Sequence, residues 1–265
     1  MPAASAVVRP VPDLGDVVGA IVERELRLAS KRRLVRSLFV LSLVPLVVFA
    51  LVLVIGVAGE ATFGAKLDWD PVAKFLGVQA FPVAMLALGL GTPIVALDRA
   101  EDVMFLYATR PVRPLHYALG KLLAVALPCT ALLLVPGVIM AGLRLGILAQ
   151  VGLGDSLAVV GKVALASLAI GFGYAGLVVA ASALTHRARW SLLLALAVLL
   201  VPDAVAGILR IQLATGPTKA VSAVIEALFA GGDGAAGLWG ASLLVLCGLC
   251  GSGILLWRAR REMTP

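Results

Sequence analysis

The run LFVLSLVPLVVFALVLVIGVAG, Leu38 to Gly59, holds 22 residues and no charge. A helix rising about 1.5 Å per residue crosses the hydrocarbon core of a bilayer in roughly 20 residues, so this stretch is long enough to span. It lacks the period-two alternation of a barrel strand. Working outward, five more runs of this kind follow: Val72 to Leu97, Tyr117 to Leu143, Leu157 to Leu184, Trp190 to Leu209 and Gly237 to Trp257. The 265 residues are 61% hydrophobic and 14% charged, too few polar side chains to cover a water-soluble surface of that size. The expected fold is therefore an all-α membrane protein with six transmembrane helices, and an even number puts both termini on one side.

The basic residues choose that side. The N-terminal segment, the second and fourth loops and the C-terminus together collect 16 of the 22 Lys and Arg, leaving six for the opposite loops. The positive-inside rule then makes both termini cytoplasmic. An isoelectric point near 9.8 follows from that topology and from contact with anionic lipid, so no nucleic-acid partner is expected. The first apolar run starts late and exceeds the 7–15 residues of a signal-peptide core, so a cleaved leader is not expected.

Residues 1–15, with Pro2, Pro10 and Pro12, read as a mobile arm. After Asp16, taken as the N-cap, residues 16–37 set Val18, Ile21, Val22, Leu26 and Ala29 near one helical face and Glu23, Arg24, Arg27 and Lys31 away from it. Such a helix is expected to lie in the membrane interface, its apolar stripe in the acyl boundary and Arg24, Arg27, Lys31, Arg32 and Arg33 near lipid phosphates. Residues 38–257 read as a six-helix transmembrane domain and 258–265 as a basic tail. Between the fifth and sixth runs, Thr215, Gly216 and Pro217 carry helix-start chemistry, and Val221, Val224, Ile225 and Leu228 line one face before Gly231, Gly232 and Gly234. This segment reads as an outer re-entrant or interfacial helix. Gly171, Gly173, Gly176 and Ala180 give the fourth run a face that a neighbouring backbone can approach closely.

Several chemistries lack their residues. No GxxxxGK[ST] occurs, so the chain holds no phosphate-binding loop of its own. His116 and His186 are the only histidines and both fall at loops, which leaves no metal site and no catalytic residue to assign. Cys129, Cys247 and Cys250 sit in apolar runs and read as packing residues. Asp203, with Arg210 two turns on, is the one membrane-depth acid that an ion-coupled carrier would use. Its alternative role is a structural, paired carboxylate.

The segment ALDRAEDVMFLYATRPVRPLHYALGKLL, Ala96 to Leu123, is too elaborate for a plain connection. Acidic residues follow the second run, then Met104, Phe105, Leu106 and Tyr107 are offered to the cytoplasm before Pro111 and Pro114 stop any helix. Exposed apolar residues rimmed by charge suggest a docking surface.

This segment resembles the loop after the second helix in ABC-2-type permeases, the membrane subunits of ATP-binding-cassette exporters. Asp98 and Arg99 match the family's charged pair, Leu106 its short leucine-rich helix, Arg110 to Arg113 (RPVR) its turn, and Gly120 with Lys121 its G-K leading into the third helix. Asp102 and Val103 stand where the family often has Gly-Thr, and Phe105 where an acid is common. The resemblance implies that Ala100 to Thr109 is a coupling helix on which a separate ATPase subunit docks through Glu101, Asp102, Met104, Phe105, Leu106, Tyr107 and Arg110. It further implies two permeases per transporter, ATP and Mg held by the partner ATPases alone, and a place in the bacterial inner membrane. A non-transporting scaffold subunit is the other reading that keeps a docked partner; the carrier needs none.

Overall fold

The computed structural model describes residues 13–63, 71–103, 112–147, 153–211 and 213–263. Among them no strand occurs, and the helices are α1 (Leu14–Lys31), α2 (Arg33–Leu41), α3 (Leu43–Phe63), α4 (Pro71–Ala100), α5 (Pro114–Ile147), α6 (Leu153–Leu184), α7 (Ala188–Ile208), α8 (Pro217–Phe229) and α9 (Gly234–Met263). Six stretches are long and apolar enough to cross a membrane: Arg33–Gly56, formed by α2 running into α3, and stretches of α4, α5, α6, α7 and α9. By length and composition the chain is a helical multi-pass membrane protein.

Burial divides the six into a centre and a rim. The most apolar windows of α4, α6 and α5 are 78%, 72% and 56% buried, whereas those of α2–α3, α7 and α9 are 11%, 22% and 28%. The central helices carry Phe75, Leu76, Leu86, Leu133 and Ile170 at full burial; the rim presents Val47, Ile55, Leu193, Val201 and Leu246 outward. Rim helices with one apolar seam inward and apolar residues outward suit a lipid surround, where no hydrophobic difference between inside and outside drives packing.

Close backbone approach does that work instead. A Cβ on Gly176 of α6 would lie 2.4 Å from Gly248 Cα of α9, and one on Gly251 would lie 2.0 Å from Gly176 O. The expected small-residue face of the fourth span is thus used on two sides, since Gly171 abuts Thr130 of α5. Cys129 is buried and Cys247 half-buried, but Cys250 lies on the outward face of α9. Pro82 and Pro93 lie inside α4, Pro128 and Pro136 inside α5 and Pro202 inside α7.

The N-terminal helix departs from expectation in three ways. Its N-cap is Asp13, whose side chain accepts from Leu14 N–H, and Asp16 sits in the first turn. It ends at Lys31, because Arg32 is extended (φ −76°, ψ 125°), so Arg33 opens α2. Its apolar stripe also faces protein: Val18 and Ile21 are buried, and Ile21 rests on Gly120 of α5, where a Cβ would lie 2.6 Å from Ile21 Cγ2. The break at Arg32 follows from two different seats. α1 packs on α5, while α2 turns Val35 inward and packs Leu34 against Gly89 of α4.

Candidate functional site

The buried charged groups of the core, Asp98, Arg99 and Lys121, gather at one end of the bundle, where α4 leads into the loop after Ala100. Pro93 has no N–H to give and its ring crowds the preceding turn of α4. Ser182 of α6 bonds to the backbone on either side of Pro93. Its hydroxyl accepts from Val95 N–H at 3.1 Å and Ala96 N–H at 3.0 Å and donates to Thr92 O at 2.9 Å. Gly91 makes the approach possible, since a Cβ there would lie 2.7 Å from Val178 Cγ1.

One turn on, Asp98 and Arg99 point to different neighbours. Asp98 Oδ2 accepts from Lys121 Nζ at 2.6 Å and from Tyr117 O–H at 2.9 Å. Lys121, fully buried, also donates to Glu25 Oε1 of α1 at 2.9 Å and to Ile94 O at 2.9 Å. Arg99 Nη1 donates to Ala183 O and Thr185 O, each at 3.0 Å, Nη2 lies 3.0 Å from His186 Nε2, and Nε pairs with Glu262 Oε1 of α9 at 3.0 Å. Arg258 Nε lies 3.0 Å from the same carboxylate oxygen without the alignment for a hydrogen bond, so that contact is ionic only.

The charges of this joint balance. Two carboxylates face one ammonium on the Asp98 side, and two guanidiniums face one carboxylate on the Arg99 side. Buried charges of this kind persist only when paired and hydrogen-bonded, and here two consecutive residues of α4 bind it to α5, the α6–α7 turn and α9, with Lys121 of α5 carrying the link on to Glu25 of α1. No protein-family model matches this chain, and no curated protein does.

The loop that hangs from the joint is described in part. Glu101 N–H bonds to Leu97 O, and Asp102, at φ 51°, turns the chain out of α4; both side chains are exposed. Left-handed backbone is where glycine is favoured and where Asp is among the better tolerated alternatives. Met104, Phe105, Leu106, Tyr107 and Arg110 lie outside the described residues. Of the basic set, Arg24, Arg27 and Lys31 are on the exposed side of α1, where Arg27 pairs with Glu23, while Arg32 is the linker and Arg33 is exposed on α2.

Asp203 and Arg210 are not paired. Asp203 Oδ2 accepts from Thr218 N–H and Lys219 N–H of α8, each at 3.0 Å, and from Thr218 O–H. Gly216, the α8 N-cap, supplies no side chain, so the α7 carboxylate takes that place; a Cβ on Gly216 would lie 2.7 Å from it. Arg210 lies beyond the end of α7, exposed, at φ 54°.

Sequence reasoning missed Glu25, Tyr117, Ser182 and Glu262 as members of the joint. Glu25 did carry a signal: it lies four residues from Ile21, beside the apolar stripe of α1, where an acid needs a cation opposite.

Proposed function

We propose that this chain is the permease subunit of an ATP-binding-cassette exporter, moving substrate across the membrane with ATP hydrolysed by a separate subunit docked on the loop between α4 and α5. The observation that carries this reading is the joint at Asp98 and Arg99. A loop that merely connects two helices needs no such root, whereas one that receives force does, and this one is tied by ion pairs to α1, α5 and α9 and by hydrogen bonds to the α6–α7 turn.

In this reading the charged end faces the cytoplasm, in keeping with the excess of Lys and Arg in the loops and segments of that end. Met104, Phe105, Leu106 and Tyr107 supply an apolar foot for the ATPase, and Glu101, Asp102 and Arg110 supply charge complementarity. ATP and Mg reside on the partner, and the chain itself contributes no catalytic group. Movement of the foot bends or tilts α4, and the joint passes that displacement to α1, α5 and α9 together. A second permease subunit, identical or related, completes the pathway.

The test is co-expression of the tagged full chain with the ABC ATPases of its own source genome, then purification and ATPase assay in lipid nanodiscs. The wild type is expected to retain the ATPase and stimulate it, and Phe105→Asp to lose stimulation with an unchanged melting temperature. Normal stimulation by Phe105→Asp, or no ATPase retained by the wild type, overturns the reading. Retention and stimulation with no substrate movement would make the chain a scaffold.

A further inference from the structure

We infer that the outward face of α2 and the start of α3 is a binding site for one anionic phospholipid. Arg33, Arg36, Ser37, Val40, Leu41 and Val44 line an open groove of about 550 Å³, and all six are exposed. Their spacing of three and four residues puts them on one helical face. The inward seam lies opposite: Val35 and Ser42 are buried, with Leu53 continuing it along α3.

The order of chemistry along the groove matches that of a phospholipid. Two guanidiniums and a hydroxyl stand at one end, and three aliphatic side chains run on from them into a helix stretch of hydropathy suited to the bilayer core. Neither Arg33 nor Arg36 has a carboxylate within ion-pairing distance among the described residues. The N-cap of α2, Arg32, makes no side-chain hydrogen bond to the first turn, so backbone N–H groups there add to the positive field. Bidentate guanidinium contacts suit a phosphodiester.

The competing occupant of such a face is a second copy of the chain. A two-fold contact through this groove would set Arg33 and Arg36 against their own equivalents, and like charges facing each other disfavour it. A lipid phosphate instead supplies the missing anion. This inference needs only the membrane-spanning character of α2–α3 and not the exporter reading.

Native mass spectrometry of the full-length protein, delipidated and then titrated with phosphatidylglycerol or phosphatidylcholine, tests the assignment. One phosphatidylglycerol is expected to bind at least tenfold more tightly than phosphatidylcholine, and the double substitution Arg33→Gln with Arg36→Gln to abolish that preference at unchanged melting temperature. Removing two equally exposed arginines elsewhere, Arg187→Gln with Arg189→Gln, should leave it intact. Equal binding of the two lipids, equal loss in the Arg187 and Arg189 control, or displacement of the lipid by millimolar inorganic phosphate would each overturn the site.

Discussion

Ser182 spends one hydroxyl on three main-chain groups of another helix, and each is buried beside Pro93. Ser182→Ala is expected to cost about 2 kcal/mol, the penalty for leaving buried donors and an acceptor without their partner. Thermal unfolding in detergent reads this. Ser242→Ala removes only a bond from an exposed serine to its own helix, Leu238 O, and should stay within about 0.5 kcal/mol of wild type. Lys121 is the stronger case, because Lys121→Met strands Asp98 and Glu25 together. A loss of about 3 kcal/mol or more is expected, with trypsin reaching Arg24 and Arg27 sooner as α1 comes away. Glu25→Gln should lose less, since Lys121 keeps Asp98. Equal losses for the two variants would show that Lys121 is not the centre of the joint.

Among the elements, α8 is held from two sides. Asp203 of α7 caps its first turn, and Trp239 Nε1–H of α9 bonds to Ala214 O just before it at 2.8 Å. At its other end Gly231, at φ 67°, turns the chain so that Gly232 N–H returns to Glu226 O. Asp203→Ala should therefore destabilise by about 1–2 kcal/mol, as lost N-caps do, while Asp203→Asn keeps an acceptor oxygen and most of the stability. Transport that survives Asp203→Asn fits a capping role; transport abolished at full stability would instead favour an ion-coupled carrier.

The six membrane helices were legible in the sequence because uncharged runs of bilayer length allow few other structures. The face of α8 through Val221, Val224 and Ile225 was legible too, and those three residues are buried. Helix ends were not, and the reason is physical. Hydropathy reads the apolar middle, so Val72 to Leu97 and Gly237 to Trp257 stop short of Pro71–Ala100 and Gly234–Met263. Asp98, Arg99 and Glu262 lie in those overhangs, where a charge resembles any loop charge until its partner from a distant part of the chain is beside it. The break at Arg32 was hidden for a similar reason: α1 and α2 share a continuous amphipathic pattern, and only their separate seats on α5 and α4 divide them.

At the scale of the whole molecule, the buried centre of α4, α5 and α6 is surrounded by helices that differ in how they are attached. α9 is pressed against α6 along Gly173, Gly176, Gly248 and Gly251, and Glu262 ties its end to Arg99. The α2–α3 span and α7 keep mostly exposed apolar faces. In the exporter reading these lightly buried helices are the ones free to meet lipid or a second permease. A displacement arriving at Arg99 has α6 and α9 as its stiffest receivers.

The glycine contact between α6 and α9 also sets a schedule for solvent. Parting either backbone there requires the other to move away at the same moment, so amides of residues 172–177 and 247–251 should be among the last to exchange hydrogen for deuterium, well after those of residues 192–201 in α7. Widening the gap with Gly176→Leu should erase that lag and let the two stretches label at rates typical of a rim helix.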